Sequence, residues 1–161
     1  MIYIDANIFY NYLFDSEFAD EAEEILSLSG KVTSKIAINE AVYVSIRKLA
    51  RDRYGITNVY KLKSFVRTSE GKKILEESYS MVLRLLDSAE IKLVEEEDDM
   101  NVVGRVAEFY ALLPNDAMIV ATCMKHRITR IATFDRDFEG VPFLEIVRGG
   151  SEKLMEEKGK S

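Results

Sequence analysis

Short apolar runs along this chain alternate with longer segments in which apolar residues recur every three or four positions. Short runs are typical of buried β-strands, and the wider spacing is typical of amphipathic helices. The runs predict five strands, near residues 2–5, 31–34, 91–94, 130–134 and 143–147. The periodic segments predict helices over 17–28, 36–53 and 115–126, two between residues 56 and 90, and one around 102–110. This alternation predicts an α/β fold with a parallel sheet between helices.

Length and composition are those of one globular domain. The chain has 161 residues, of which 47% are hydrophobic, with two prolines, eight glycines and no biased tract. We expect a domain over residues 1–148 and a polar tail over 149–161. The N-terminal sequence has no leader pattern, and no apolar run approaches the length of a membrane span, so we expect a soluble, cytoplasmic protein.

Four acidic residues are predicted to meet at one edge of the sheet. Asp5 and Asp135 each end a predicted strand, while Glu40 and Asp116 lie near the starts of helices among apolar neighbours. The carboxyl ends of parallel strands form the edge at which such sheets bind ligands. In chain order, the four acids lie at a strand end, near two helix starts and at a second strand end. This order predicts a carboxylate cluster at the edge of the sheet.

A structural role is the alternative for each acid taken singly. Asp5, Asp116 and Asp135 precede or begin helical segments, where an aspartate that caps free N–H groups contributes roughly 1 kcal/mol. Glu40 fits this alternative less well, because its neighbours one turn away are apolar. A partly buried carboxylate needs a compensating charge or hydrogen bond. The conjunction of all four favours the cluster.

A carboxylate cluster favours a bound cation on physical grounds. Two carboxylates about 5 Å apart repel by about 3 kcal/mol at an effective dielectric of about 20. Oxygen ligands select hard cations, and Mg²⁺ or Mn²⁺ held by a few carboxylates keeps water for chemistry. We expect Asp5 and Asp116 to be the main ligands, with Glu40 and Asp135 completing the shell or orienting the attacking water.

Several motifs together resemble a PIN domain: Asp5-Ala6-Asn7 after the first strand, Glu40, the segment 115–121 (NDAMIVA) and the segment 133–138 (TFDRDF). Within that family the chain is most similar to the toxin ribonucleases of VapBC toxin–antitoxin pairs. The resemblance implies a three-layer α/β/α sandwich and a Mg²⁺- or Mn²⁺-dependent endoribonuclease. It also implies a homodimer, a small antitoxin partner, and metal binding by Asp5, Glu40, Asp116 and Asp135, supported by Asn7, Thr133 and Asp137.

One feature departs from a compact toxin of this kind. There are 75 residues between Glu40 and Asp116, and the helical material at 56–90 leaves the substrate and the partner open. An RNA-processing nuclease and a non-catalytic module that binds RNA or protein are the alternatives. A phosphohydrolase of the haloacid dehalogenase type is disfavoured, because its Asp-x-Asp motif would require aspartate where Asn7 stands.

Other chemistries have little support in the sequence. His126 is the only histidine and falls at a predicted helix C-terminus, which excludes a two-histidine route to RNA cleavage. Cys123 has the surroundings of a small core residue, and there is no P-loop motif. The acidic run at 95–99 is expected to be a solvated turn that starts a helix.

The net charge of −6 is unevenly distributed. Residues 47–73 carry nine basic and two acidic side chains, a local charge of +7 in an acidic protein. Solvated helix faces are one explanation, and a surface that follows an RNA backbone is the other. Tyr43, Tyr54 and Tyr60 flank this segment and could stack on unpaired bases. The predicted RNA-binding residues are Arg47, Lys48, Arg51, Arg53, Lys61 and Lys63.

Overall fold

The computed structural model describes residues 1–150 and contains five strands and seven α-helices within that range. The strands are β1 (Ile2–Ile4), β2 (Lys31–Thr33), β3 (Lys92–Leu93), β4 (Arg130–Ala132) and β5 (Glu145–Val147). The helices are α1 (Ala6–Leu13), α2 (Ala19–Leu26), α3 (Lys35–Tyr54), α4 (Val59–Phe65), α5 (Ser69–Ser88), α6 (Met100–Tyr110) and α7 (Pro114–Lys125). A short 3-10 helix covers Asp137–Gly140.

All four strand pairings are parallel, and the order across the sheet is β3-β2-β1-β4-β5. Tyr3 in the central strand pairs with Val32 on one side and with Ile131 on the other. The chain adds β2 and β3 on one side of β1 and then crosses to add β4 and β5 on the other. The crevice beyond the carboxyl ends of β1 and β4 is therefore the switch point at which parallel sheets bind ligands.

Burial follows this order from the centre of the sheet to its edges. All three residues of β1 are buried, as expected for a strand covered on both faces, whereas both residues of β3 are exposed at the edge. The core includes Phe9 and Ile119 from the helices as well as the strand residues. The predicted three-layer α/β/α fold is confirmed.

The helical material between residues 56 and 90 packs on the second half of α3. Gly55 ends α3 in the left-handed conformation that favours glycine, with φ of 67°. The ring of Phe65 in α4 then lies 4.9 Å from that of Tyr54. Gly71 lies so close to the carbonyl of Phe65 that a Cβ atom would overlap it. These contacts return the chain along α5, which packs on α3.

The sequence overestimated the strands, and it predicted α1 only as a helical segment after Asp5, without bounds. The predicted strand 91–94 is reduced to two residues, and those at 130–134 and 143–147 are reduced to three each. The segment Ala6–Leu13 is mostly apolar, and its two asparagines, Asn7 and Asn11, lie one turn apart. Residues 151–161 of the predicted polar tail lie outside the described residues, and the boundary at residue 149 stays a prediction.

Candidate active site

The carboxylate of Asp5 is fixed at the switch point by three hydrogen bonds. Asp5 follows β1 and is the N-cap of α1, where its Oδ1 accepts from the Ala6 N–H at 2.7 Å. Its Oδ2 accepts from Thr133 Oγ1 at 2.7 Å and from Asn7 Nδ2 at 3.1 Å. Asn7 Oδ1 in turn accepts from the Phe134 N–H at 3.0 Å. Asn7 and Thr133 thus join the ends of the two central strands and orient Asp5.

Three further carboxylates form a triangle beside Asp5. One oxygen from each of Asp116, Asp135 and Asp137 lies within 4.8 Å of the other two. The loop after β4 creates this arrangement, because Asp135 Oδ1 accepts from the Asp137 N–H at 2.9 Å and the backbone then enters the 3-10 helix. Asp116 reaches the triangle from the first turn of α7. Asp137, predicted as a supporting group, therefore lies among the potential ligands.

Glu40 completes the cluster from α3 and is electrostatically coupled to the other acids. Burial first, and then the charges of Asp116 and Asp135, raise the pKa of Glu40. Burial and the nearby carboxylates, Asp135 foremost, raise the pKa of Asp116 to about 6. Burial also raises the pKa of Asp5 to about 6, reinforced by Glu40 and Asp135 and opposed by the Thr133 and Ala6 hydrogen bonds. The predicted acids are brought together.

The helix-cap alternative explains only part of this arrangement. Asp5 is a cap and a member of the cluster at once. Asp116 is not the cap of α7, since Leu113 occupies that position and no side-chain capping hydrogen bond is present. Asp135 binds the backbone of its own loop through one oxygen. Capping therefore does not account for the approach of Asp116 and Glu40 to the strand ends.

The donor set fits a hard divalent cation. The charged groups that raise the pKa values of Asp5, Glu40 and Asp116 are all carboxylates. A cation placed among them would relieve the mutual repulsion, and carboxylate oxygens are the ligands that Mg²⁺ and Mn²⁺ prefer. Asp116, Asp135 and Asp137 offer the tightest group of oxygens, and Asp5 and Glu40 lie beside it.

The acidic run at 95–99 connects the two helices that carry Glu40 and Asp116. Glu96 Oε1 accepts from the Ile36 N–H at 2.5 Å, at the start of α3. On the other side, the backbone of residues 95–97 forms hydrogen bonds with α7 and its C-cap residue. The Glu97 N–H donates to Thr122 Oγ1, and Lys125 Nζ donates to the Glu96 carbonyl. The ring of His126 contacts the Glu95 carbonyl through Nε2. The prediction of a solvated turn is therefore incomplete, although Asp99 does cap α6.

Tyr10 borders the cluster and was not predicted as a site residue. Its hydroxyl pKa is raised by burial and then by the charges of Asp5, Glu40 and Asp135. The signal in the sequence is its spacing of three residues from Asn7, which places both side chains on one face of α1. A phenol at this position can donate a hydrogen bond to an anion at the rim of the site.

The competing nucleophiles are structural, as predicted. His126 is the C-cap residue of α7, and its ring contacts the Glu95 carbonyl at 2.6 Å. Cys123 is fully buried, and burial raises the pKa of its thiol to about 12. A thiol with so high a pKa stays protonated, so it is a small core residue and not a nucleophile.

The basic segment divides into paired and unpaired side chains. Lys48 and Arg51 both contact Asp52, and Arg53 forms a two-pronged ion pair with Glu77 at 2.6 and 2.8 Å. Within residues 1–150, no ion pair involves Arg47, Lys61 or Lys63. Both explanations, solvated helix faces and an RNA-binding surface, stay open for all six residues, of which Arg47, Lys61 and Lys63 have no acidic partner among the described residues.

Fold and site together define a three-layer α/β/α domain with a carboxylate cluster at the switch point of its sheet. The model of the PIN domain family matches residues 2–144, and the chain belongs to this family. The resemblance found in the motifs is confirmed. Within the described range, no helix is long and apolar enough to cross a membrane.

Individual relatives place the chain near the VapC proteins of the family. It is 30% identical to Ribonuclease VapC2 of Methanocaldococcus jannaschii over 152 residues, covering 91% of this chain and 92% of that protein. It is 34% identical to Ribonuclease VapC6 of the same organism over 95 residues, 58% of this chain and 61% of that protein. The crystal structure of Mycobacterium tuberculosis VapC20, a toxin that cleaves the sarcin-ricin loop, superposes with a TM-score of 0.59 at 15% identity, covering 92% of this chain and 99% of VapC20.

Proposed function

We propose that this protein is a divalent metal-dependent endoribonuclease that acts as the toxin of a toxin–antitoxin pair. The observation that carries the proposal is the acid cluster at the switch point, in a PIN domain related to proteins named as VapC ribonucleases. The same relationship supports the proposal of an RNA substrate, a small antitoxin partner and action in the cytoplasm. An RNA-processing nuclease remains the runner-up, distinguished by the growth experiment described below.

The residues divide into metal-holding and orienting groups in this proposal. Asp5, Glu40, Asp116 and Asp135 would hold Mg²⁺ or Mn²⁺ directly or through water, and Asp137 would join them through its position in the oxygen triangle. Asn7 and Thr133 keep the Asp5 carboxylate in place through their hydrogen bonds. When bound, the cation lowers the pKa of water and stabilises the charge that develops on the phosphate.

Glu40 is the proposed acceptor of the proton in the hydrolytic step. Burial and its acidic neighbours raise the pKa of Glu40 toward neutral pH. A general base works best when its pKa lies near the operating pH. Water attacks the phosphorus, the bond from phosphorus to the leaving ribose oxygen breaks, and the proton lost by water passes to Glu40. The leaving oxygen takes its proton from solvent. Asp5, which is more deeply buried and already accepts three hydrogen bonds, is less suited to this role.

RNA binding is proposed for the basic segment, with its unpaired side chains foremost. Arg47, Lys61 and Lys63 are free of ion pairs among the described residues, while Lys48, Arg51 and Arg53 must exchange an acidic partner for a phosphate. Neutralising phosphates releases counterions, so binding is expected to weaken steeply with salt. Substitution of Lys61 and Lys63 by Glu is expected to flatten this salt dependence and leave metal affinity unchanged.

A homodimer is proposed from the family resemblance and from exposed apolar side chains. Phe109 at the end of α6 is 80% exposed, and Leu113 just before α7 is 74% exposed. Clusters of large exposed apolar groups are typical of protein interaction sites, and these two residues are four positions apart in the chain. Sedimentation of the purified protein tests this proposal, and a Phe109→Ser variant is expected to shift the protein toward monomer.

Metal-dependent cleavage is the direct test of the proposed function. Metal-free protein is titrated with Mn²⁺ by calorimetry and assayed on total RNA before and after the titration. We expect binding in the micromolar to millimolar range, a rise in melting temperature by mass action, and cleavage only after metal is added. Absence of both heat and thermal shift contradicts the metal site, and metal binding without cleavage favours the non-catalytic module.

Expression in a bacterial host separates a toxin from a processing enzyme. Growth is expected to stop when the protein is produced alone and to recover when a small antitoxin encoded beside it in the native genome is produced with it. An inactive Asp116→Asn variant serves as the control for effects of overproduction. Normal growth with active parental enzyme contradicts the toxin assignment and favours the RNA-processing alternative.

A further inference from the structure

An exposed ridge of α3 leads away from Glu40. Tyr43 and Arg47 follow Glu40 by three and seven residues, which places them on the same helix face, about 4.5 and 10.5 Å further along the axis. Tyr43 is 42% exposed and Arg47 is also exposed. Neighbouring positions such as Val42 and Ile46 are buried and belong to the core face. The ridge is therefore a solvent-facing continuation of the acidic site.

Tyr43 and Arg47 form a preorganised pair on this ridge. The guanidinium carbon of Arg47 lies 5.8 Å from the centre of the Tyr43 ring, within the range of a cation–π interaction. Arg47 makes no ion pair within residues 1–150, whereas Lys48 and Arg51 on the same helix are occupied by Asp52. The N–H donors of Arg47 thus remain available to an anion while its position is held by the ring.

The chemistry of this pair matches one nucleotide of unpaired RNA. A guanidinium binds phosphate through charge-assisted hydrogen bonds, and an exposed aromatic ring stacks on a base of any identity. Bases in a duplex are covered by their neighbours, whereas bases in loops and single strands can be splayed onto such a ring. One phosphate group and one base in adjacent positions therefore complement Arg47 and Tyr43.

Building on the proposed ribonuclease function, we propose that Tyr43 and Arg47 form a subsite for the nucleotide beside the scissile phosphate of an unpaired RNA segment. Tyr43 stacks on the base of this nucleotide, and Arg47 binds its phosphate. The pair thereby selects loops and single strands over duplex RNA. The proximity to Glu40 on a single rigid helix places this nucleotide next to the bond that is cut.

The test measures RNA binding separately from cleavage. The cut site is first mapped with the parental protein and Mn²⁺, and fluorescent single-stranded RNA spanning it is then titrated with the Asp116→Asn protein. We expect Tyr43→Ala to weaken binding about tenfold, Tyr43→Phe to bind like the parent, and Arg47→Gln to reduce the salt dependence of binding. Tyr79→Ala is the matched control, because Tyr79 is 49% exposed but lies on α5, outside the predicted RNA-binding residues.

Removal of one base identifies the partner of Tyr43. RNA with an abasic residue on one side of the cut is expected to bind the parent about tenfold more weakly and to lose nothing further with Tyr43→Ala. The subsite is overturned if Tyr43→Ala and Tyr79→Ala weaken binding equally. It is also overturned if the effects of abasic RNA and Tyr43→Ala are additive, or if duplex RNA shows the same dependence on Tyr43. Normal cleavage accompanied by any of these results leaves the ribonuclease proposal standing. Parental protein that cuts no RNA in Mn²⁺ removes both proposals.

Discussion

Asp116 is the residue at which catalysis and stability are expected to separate. Its carboxylate lies beside those of Asp135 and Asp137, and burial and then its acidic neighbours raise its pKa. Replacement by Asn removes one charge from the cluster, so the Asp116→Asn variant is expected to lose RNA cleavage. Its free energy of unfolding without metal is expected to stay equal or rise by about 1 kcal/mol.

Denaturant unfolding in a chelator and cleavage assays in Mn²⁺ measure the two effects. Glu108→Gln makes the same change of charge at an exposed position of α6 and serves as the control. Cleavage at the parental rate by Asp116→Asn contradicts the assignment of Asp116 to the metal site.

The titration of Asp5 and Asp116 is expected to make the metal-free protein less stable as pH rises. Both pKa values are about 6 in the folded protein, above the ordinary value of 3.8, so the folded state binds more protons than the unfolded chain between about pH 4 and pH 6. These two groups contribute fully to the free energy of unfolding below about pH 4, the pKa of an aspartate in the unfolded chain. Their contribution is lost as pH rises through 6. Acids with lowered pKa values, such as Glu77, lose their contribution only at lower pH.

We therefore expect metal-free protein to be more stable at pH 5 than at pH 7.5, by about 1 kcal/mol from Asp5 alone. Saturating Mn²⁺ is expected to reverse the trend, because ligands must be ionised to bind metal. Urea unfolding at the two pH values, with and without Mn²⁺, measures both effects. A metal-free protein that is less stable at pH 5 contradicts the clustering of these acids.

At the scale of helices, the start of α3 depends on a distant side chain. The N-cap residue Ser34 makes no capping hydrogen bond with its side chain, because its hydroxyl is paired with the Tyr3 hydroxyl at 2.7 Å. Glu96 supplies the missing acceptor to the Ile36 N–H from 60 residues away. Glu40 lies one turn further into the helix, so the position of this site residue depends on the cap.

The Glu96→Ala variant is expected to lose about 1 kcal/mol of stability, as for other helix caps, and to need more Mn²⁺ for half-maximal cleavage. Glu96→Gln keeps an acceptor oxygen and is expected to retain most of both properties. Glu95→Ala is the control, since the recorded contact of Glu95 to His126 uses its backbone carbonyl. Equal metal requirements in the Ala and Gln variants of residue 96 would show that the cap does not position Glu40.

At the scale of the whole molecule, an acidic pocket next to a basic segment suggests how activity is restrained. A guanidinium can pair with two carboxylate oxygens at once and replace the charge that metal supplies. We expect a small antitoxin to insert a basic side chain, an Arg, into the pocket. Partner and metal should then weaken each other's affinity by the same factor.

Purification from the native host followed by Mn²⁺ titration of the complex and of the free protein checks this antagonism. Competition is expected to appear as weaker metal binding in the complex. A co-purified partner with unchanged metal affinity indicates inhibition at another surface. Absence of any small partner favours the RNA-processing alternative.

The amino-acid sequence alone predicted the class of fold and the acids that the structure brings together. Apolar periodicity is a local property, so it located the strands and most helices, and Asp5 and Asp135 were recognisable because each ends a strand. Parallel strands bring their carboxyl ends to one edge whatever the details of packing. The strand order and the switch point between β1 and β4 agree with that expectation.

Tertiary structure decided the contacts between residues far apart in the chain. Three such contacts join separate elements. Arg53 pairs with Glu77, and Glu96 caps α3. The Tyr10 hydroxyl lies in the field of three carboxylates. The entry of Asp137 into the oxygen triangle required the turn at Asp135 and the approach of α7 together. Such contacts depend on how helices pack and on side-chain orientation, which periodicity does not encode, because it specifies the buried face of a helix but not the neighbour that covers it.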